Sequence, residues 1–342
     1  MYSYNLNSGY GKVLAEQIAS AVGPVFGKIH VCIASTDEQY KLNMLRNMFV
    51  PDPDGMVRFF TDTGSGTTSG LEAAYAACTS NADDVILLSG YASQAFKAGI
   101  AWTKNRIHVI GMDGGSRLTD HGSKVESSTT DATGYLLNNT GTRNSFTNIK
   151  FIQNSTNGAA LNVALFAGEG NLYKNCSFIF ATASNLGSTS ASEVVCGEDS
   201  GTFIDCEFGA DTLLTTAARQ VMLVKTLTTE MKSNRFRRCS WKISSSSATA
   251  TFIRLNAVTD ILFTNLFENC SFQASVDSAG GIALTAGAIQ TGTGTTKGTL
   301  NFSYPAFFNV GGSLASSGNN TAVQVVAPAS VASAIKGIQP TA

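Results

Sequence analysis

The spacing of apolar residues changes character along the chain. Before about residue 80 it mixes helical and strand periods. Val13, Leu14, Ile18 and Val22 share one face of a helix expected over 12–22. Ile29 to Ala34 reads as a buried strand, and 36–49 as a helix with Thr36 or Asp37 near its N-cap and Pro51 and Pro53 beyond its end. A strand over 56–61, a short Ala-rich helix over 70–78 and a third strand over 84–89 complete this α/β start. Beyond it the pattern turns to short apolar runs separated by Gly, Asn and Ser, the texture of many short strands.

One six-residue figure recurs in that second part. It reads Phe146-Thr-Asn148-Ile149-Lys-Phe151, Tyr173-Lys-Asn175-Cys176-Ser-Phe178, Phe203-Ile-Asp205-Cys206-Glu-Phe208, Phe236-Arg-Arg238-Cys239-Ser-Trp241 and Phe267-Glu-Asn269-Cys270-Ser-Phe272. The first aromatics are 27, 30, 33 and 31 residues apart. A period in this range marks a solenoid. Alternation alone cannot send the first aromatic, the fourth residue and the last aromatic to one face. A sharp bend at the third position can, and Asn and Asp accept the left-handed backbone that such a bend needs. A further apolar strand precedes each later motif, at 163–166, 193–196, 221–224 and 252–255. Three short strands per repeat predict a mainly β fold, a right-handed parallel β-helix with a small N-terminal α/β capping region. Stacked coils would line up Cys176, Cys206, Cys239 and Cys270 in one interior row, and Phe178, Phe208, Trp241 and Phe272 in another. The expected division is an α/β cap and docking region over 1–80, the β-helix over 81–310, and a C-terminal tail or cap over 311–342.

Composition narrows the function classes. The 342 residues carry 23 Lys and Arg against 24 Asp and Glu, a net charge of -1, which argues against a general nucleic-acid binder. Only 14% of residues are charged while 43% are hydrophobic, so a large core is available and disorder is excluded. The start, MYSYNLNSGY, lacks a basic leader running into an apolar stretch, and no run reaches the roughly 18 apolar residues of a membrane span. Synthesis in a cytoplasm, with no membrane partner, is therefore expected. Seven Cys without a CxxC pair argue against a disulfide framework or zinc ribbon. A row of thiols does not converge as metal ligands must, so the Cys positions read as core.

These motifs, following GLEAAYAACTSNADDVILLSG and KNRIHVIGMDGG, resemble pectate-lyase-like β-helix proteins, and more closely the β-helical virion proteins of tailed bacteriophages. The resemblance spans about residues 24–310. It implies a structural protein that decorates or cements a capsid and has no catalytic activity. It further implies the major capsid protein as partner, a homotrimer, a place on the outer capsid surface and host cytoplasm during assembly. The alternative is a tailspike-type β-helix that binds or cleaves host surface polysaccharide. The helix face of Val13, Leu14, Ile18 and Val22 is then a candidate docking element. Serines such as Ser244 to Ser247 are expected on outer positions where subunits could pack.

Candidate chemistry is sparse. His30 and His108 lie in apolar strands and His121 in a polar loop, and nothing around them marks a nucleophile. The loop Gly64 to Gly70 sits where a phosphate loop would, but it lacks the Lys of that motif. Glu169 and Asp199, each four residues before a repeat's first aromatic, should stack on one edge, with Glu198 beside them and Lys232 in the next coil. Such a stack is either a surface charge ladder or, on the alternative reading, a pair of carboxylates for glycoside hydrolysis. No cofactor and no metal are expected.

Overall fold

The computed structural model describes residues 27–33, 56–61, 70–89, 93–96, 99–112, 123–310 with short gaps at 189, 211, 277–280, 282, 285–287 and 291–296, then 315–316 and 323–326. The expected helices over 12–22 and 36–49, and with them Val13, Leu14, Ile18 and Val22, lie outside the described residues.

The chain is mainly β, with three parallel sheets typical of a right-handed parallel β-helix. The first sheet holds twelve strands, the second nine and the third eight. One coil illustrates the path. Leu172–Lys174 lies in the first sheet, Ser177–Phe180 in the second and Ser192–Cys196 in the third. Among the described residues the strand pairings are parallel and join neighbouring coils, as Tyr173 to Phe203 and Phe178 to Phe208 do. Closed coils leave no lateral edge, so unpaired backbone groups concentrate at the two ends of the stack.

The first sheet continues through Ile107–Gly111, Asp84–Leu88 and Ile29–Ile33 to Val57–Thr61. The helix Gly70–Ala77 packs on these strands and buries Leu71 and Ala74. At the other end, Ala315–Ser316 and Val323–Val326 add to the third and first sheets. Among the described residues no helix is long and apolar enough to cross a membrane.

Two left-handed residues per coil bend the chain. Between the first and second sheets they are Asn148, Asn175, Asp205, Arg238, Asn269 and Tyr304, with φ from 51° to 58°. This is the bend that the motif predicts. It turns the fourth residue inward, and Cys176, Cys206, Cys239 and Cys270 are all buried and unpaired by disulfides. Each thiol donates to the carbonyl of the first aromatic one coil earlier, as Cys206 Sγ to Tyr173 O at 3.3 Å. The flanking aromatics form two columns. Tyr173, Phe203, Phe236 and Phe267 stack at 4.5 to 4.6 Å within 8° of parallel. Phe178, Phe208, Trp241 and Phe272 form the second column at 4.7 to 5.6 Å. Each such pair adds about 0.5–1.5 kcal/mol beyond the burial of its area. The columns extend one rung beyond the motifs counted in the sequence, to Phe302 and Phe307.

The expectation for Ser244 is corrected. Ser244 and Ser245 are buried, because the short strand Leu214–Thr215 pairs with Ser240–Ser245 and Thr215 accepts from Ser245 Oγ at 3.2 Å.

Candidate functional site

The second set of left-handed residues lies where the chain passes from the third sheet back to the first. It comprises Arg106, Arg143, Gly170, Ser200, Ser233 and Phe263, with φ from 55° to 65°. Of these only glycine, which has no Cβ, takes this backbone without strain. A phenylalanine there is a true outlier, of a kind that costs about 1–3 kcal/mol.

Each turn has an inner and an outer side. The inner side is an asparagine ladder two residues before the first aromatic: Asn144, Asn171, Asn234 and Asn265, all buried. Each side-chain oxygen accepts a backbone amide from the neighbouring coil, as Asn144 N donates to Asn171 Oδ1 at 2.8 Å and Asn234 N to Asn265 Oδ1 at 3.0 Å. Each Nδ2 donates to a carbonyl of the turn one coil earlier, as Asn171 to Gly141 O at 3.0 Å and Asn234 to Glu198 O at 2.6 Å. The asparagines hold the turn from within, leaving its second residue free to vary.

One rung breaks this rule. At the asparagine's place stands Gly201, and a Cβ there would come within 2.7 Å of the Glu198 carboxyl carbon. Glu198, three residues earlier, sends its carboxyl into that space, where Oε1 accepts from Asn171 Nδ2 at 2.6 Å. Burial pushes the Glu198 carboxyl up to about 8, against the pull of the Asn171 hydrogen bonds and aided by the nearby Asp199. The Glu198 carboxyl thus takes the place of the carboxamide as acceptor, while its Oε2 has no hydrogen-bond partner. Of the three acids singled out in the sequence, Glu198 lies fully inside the coil and touches no surface.

Glu169 and Asp199 are on the outer side. Parallel bridges run from Thr142 to Glu169, Asp199 and Lys232, so the four residues form one line along the edge. Lys232 Nζ meets Asp199 Oδ2 at 2.7 Å, and this hydrogen bond raises the Lys232 ammonium above its ordinary value, opposed by desolvation and helped by Asp199, Glu169 and Glu230 charge. Beside the line, the segment 225–230 folds back over earlier coils: Thr228 Oγ1 donates to Ala167 O and Thr229 Oγ1 to Gly197 O at 2.9 Å. Gly197 permits that approach, since a Cβ would meet Lys225 O at 2.4 Å.

The line continues to Leu262, which pairs with Lys232, and the next residue is Phe263, 61% exposed. Leu266 comes four positions after Leu262, whereas Arg235, which pairs with Leu266, comes three positions after Lys232, which pairs with Leu262. This extra residue is a bulge, a device that re-aims side chains. It leaves a large aromatic in solvent on the edge that carries the carboxylates. Sequence reasoning found the acids by their offset from the repeated aromatics. It missed Phe263 because a one-residue insertion shifts the frame, and it missed the asparagine ladder although Asn two residues before the aromatic is visible in four of five repeats.

No family model matches the sequence, and no curated protein resembles it at a significant level. Among solved structures the chain is similar to the deglycosylated pectin methylesterase from Aspergillus niger, at 11% identity and a TM-score of 0.48 over 89% of this chain and 81% of that one. It is similar also to pectin methylesterase PemA from Erwinia chrysanthemi, at 12% identity and a TM-score of 0.46 over 82% and 78%. A pectin methylesterase in complex with a hexasaccharide gives 12% identity and a TM-score of 0.42 over 71% and 74%. These structures are enzymes, and the expectation that the chain has no catalytic activity is corrected on that finding. At such identities the likeness speaks to the fold, and the chemistry must rest on this chain's own residues.

Proposed function

We propose that the chain is a β-helix acting on polysaccharide, with the edge of Glu169, Asp199, Lys232 and Phe263 as its glycan site. The observation that carries this is the alignment of two carboxylates on adjacent rungs with an ion-paired lysine and an exposed, strained aromatic. Adjacent rungs are about 4.8 Å apart. Retaining glycosidases hold their two carboxyl groups about 5–5.5 Å apart. On this reading Asp199 attacks the anomeric carbon, Glu169 protonates the departing oxygen and then activates water, and Phe263 stacks on a ring two rungs from Asp199. A plain charge ladder would explain the Asp199–Lys232 pair, but it gives no reason for a bulge that exposes a phenylalanine.

The test is release of reducing ends from a panel of capsular, lipopolysaccharide and plant cell-wall polysaccharides. Wild-type protein should cleave at least one of them. Asp199→Asn should lower kcat by about 10²-fold or more, while Phe263→Ala should raise KM with kcat nearly kept. Retention of no glycan by the wild type, on an array or by cleavage, would falsify the proposal. A place on a virion and a trimeric state belong to the tailspike form of this reading, and immunolabelling of particles and light scattering test them.

A further inference from the structure

A second cluster lies some distance along the chain from that edge, beneath the helix Gly70–Ala77. His30 of Ile29–Ile33, Asp84 of Asp84–Leu88 and Cys78, just past the helix, are all buried. One ligand-type atom from each lies within 4.8 Å of the other two. His30 Nε2 stands 3.7 Å from Asp84 Oδ2, too far for a hydrogen bond but close to the separation of two donors on one tetrahedral ion.

The three donors are held firmly. Asp84 Oδ1 accepts from Lys28 N and Oδ2 from Thr79 N, both at 2.7 Å, which fixes the carboxylate and leaves each oxygen a lone pair. Gly27 passes directly over it, where a Cβ would stand 2.2 Å from Asp84 Oδ1. Cys78 is anchored by Lys104 Nζ, which donates to the carbonyls of Tyr75, Ala76 and Cys78 at 2.7 to 2.8 Å.

His30 is the independent sign that something is missing. Neither ring nitrogen has a hydrogen-bond partner, in a side chain with no exposure to water. Buried polar groups are nearly always satisfied, and leaving one unpaired costs about 1–3 kcal/mol. Among the described residues its ring faces Phe60, 5.6 Å between ring centres, and the Asp84 carboxylate.

We infer that His30, Cys78 and Asp84 form a three-ligand zinc site that ties the helix to the first strands of the stack. Imidazole, thiolate and carboxylate are the donor types that zinc prefers. One thiolate and one carboxylate also balance the charge of a divalent ion, so the loaded site is neutral in a buried place. On binding, the Cys78 thiol gives up its proton to solvent, the Sγ–metal bond replaces Sγ–H, and nothing is oxidised or reduced. Three protein donors leave the fourth tetrahedral position to a non-protein ligand.

The full-length protein, stripped with a chelator under reducing conditions, is titrated with zinc and separately with cobalt(II). The expected result is one tightly held zinc per chain by elemental analysis, a metal-dependent rise in Tm, and a sulfur-to-cobalt charge-transfer band. Cys78→Ser should abolish the band and His30→Gln should lower zinc affinity by tenfold or more. The wild-type spectrum decides independently of how the variants fold: cobalt bound without a thiolate band, or no metal retained after dialysis, overturns the site. Loss of metal with polysaccharide cleavage intact leaves the glycan reading untouched, so the two proposals fail separately.

Discussion

Glu198 shows how one buried proton can be tied to the stability of a whole rung. In the unfolded chain a glutamate releases its proton near pH 4.5, whereas in the folded coil burial keeps it bound to about 8. Between those values the folded state holds more protons than the unfolded one, so stability falls as pH rises through this window and is fully present below it. The shift is worth on the order of 5 kcal/mol. Glu198→Gln supplies a neutral group of the same shape. Its urea midpoint should stay flat from pH 5 to 8.5 while that of the wild type declines, and equal slopes would refute the protonated rung. A second buried charge behaves differently. Arg219 Nη1 meets Glu193 Oε1 at 2.6 Å with both side chains enclosed. Burial raises the Glu193 carboxyl and the Arg219 charge opposes that shift. Arg219→Met should cost about 3–5 kcal/mol, and adding Glu193→Leu should recover most of it, because a lone buried charge is worse than none. Thermal unfolding of the single and double variants checks this.

At the scale of the element, the turn from the third sheet to the first has one backbone and two alternative fillings. Position four can supply an asparagine, or position one can supply a glutamate. Gly201→Asn alone should clash with the Glu198 carboxyl, and Glu198→Gly alone should leave a hole and strand Asn171. The double variant rebuilds the neighbouring pattern of Gly168 and Asn171, so the two changes should couple favourably by about 1–3 kcal/mol in a double-mutant cycle. Additive losses would show that the glutamate is not a replacement. The bend between the first and second sheets was legible in the sequence because Asn and Asp at the third motif position advertise a left-handed residue. The other turn was not, since Arg106, Arg143, Ser200, Ser233 and Phe263 have no such preference and are forced into it by the coil around them. For the same reason the acids Glu169 and Asp199 could be placed on one edge from their spacing, while Glu198 could not be assigned to the interior. Sequence neighbours point opposite ways in a strand, but which one points in depends on the turn.

At the scale of the molecule, the period of the aromatic motif carried the architecture, and the stacked columns of Phe, Tyr and Trp explain why. A solenoid's stability is close to a sum over rungs and their interfaces. Phe236→Ala, in the middle of a column, should cost about 3–5 kcal/mol and should separate unfolding into two transitions by calorimetry, whereas Phe302→Ala, nearer the end, should shift a single transition. One broad loss in both variants would argue against rung-wise behaviour. The asparagine ladder has a different consequence. Together with Glu198 at the one rung without an asparagine, it fixes the shape of each turn from inside, so Thr142, Glu169, Asp199, Lys232 and Leu262 are separate letters on a rigid line. A lineage can rewrite that line one letter at a time, changing what the edge grips without touching what keeps the coil folded.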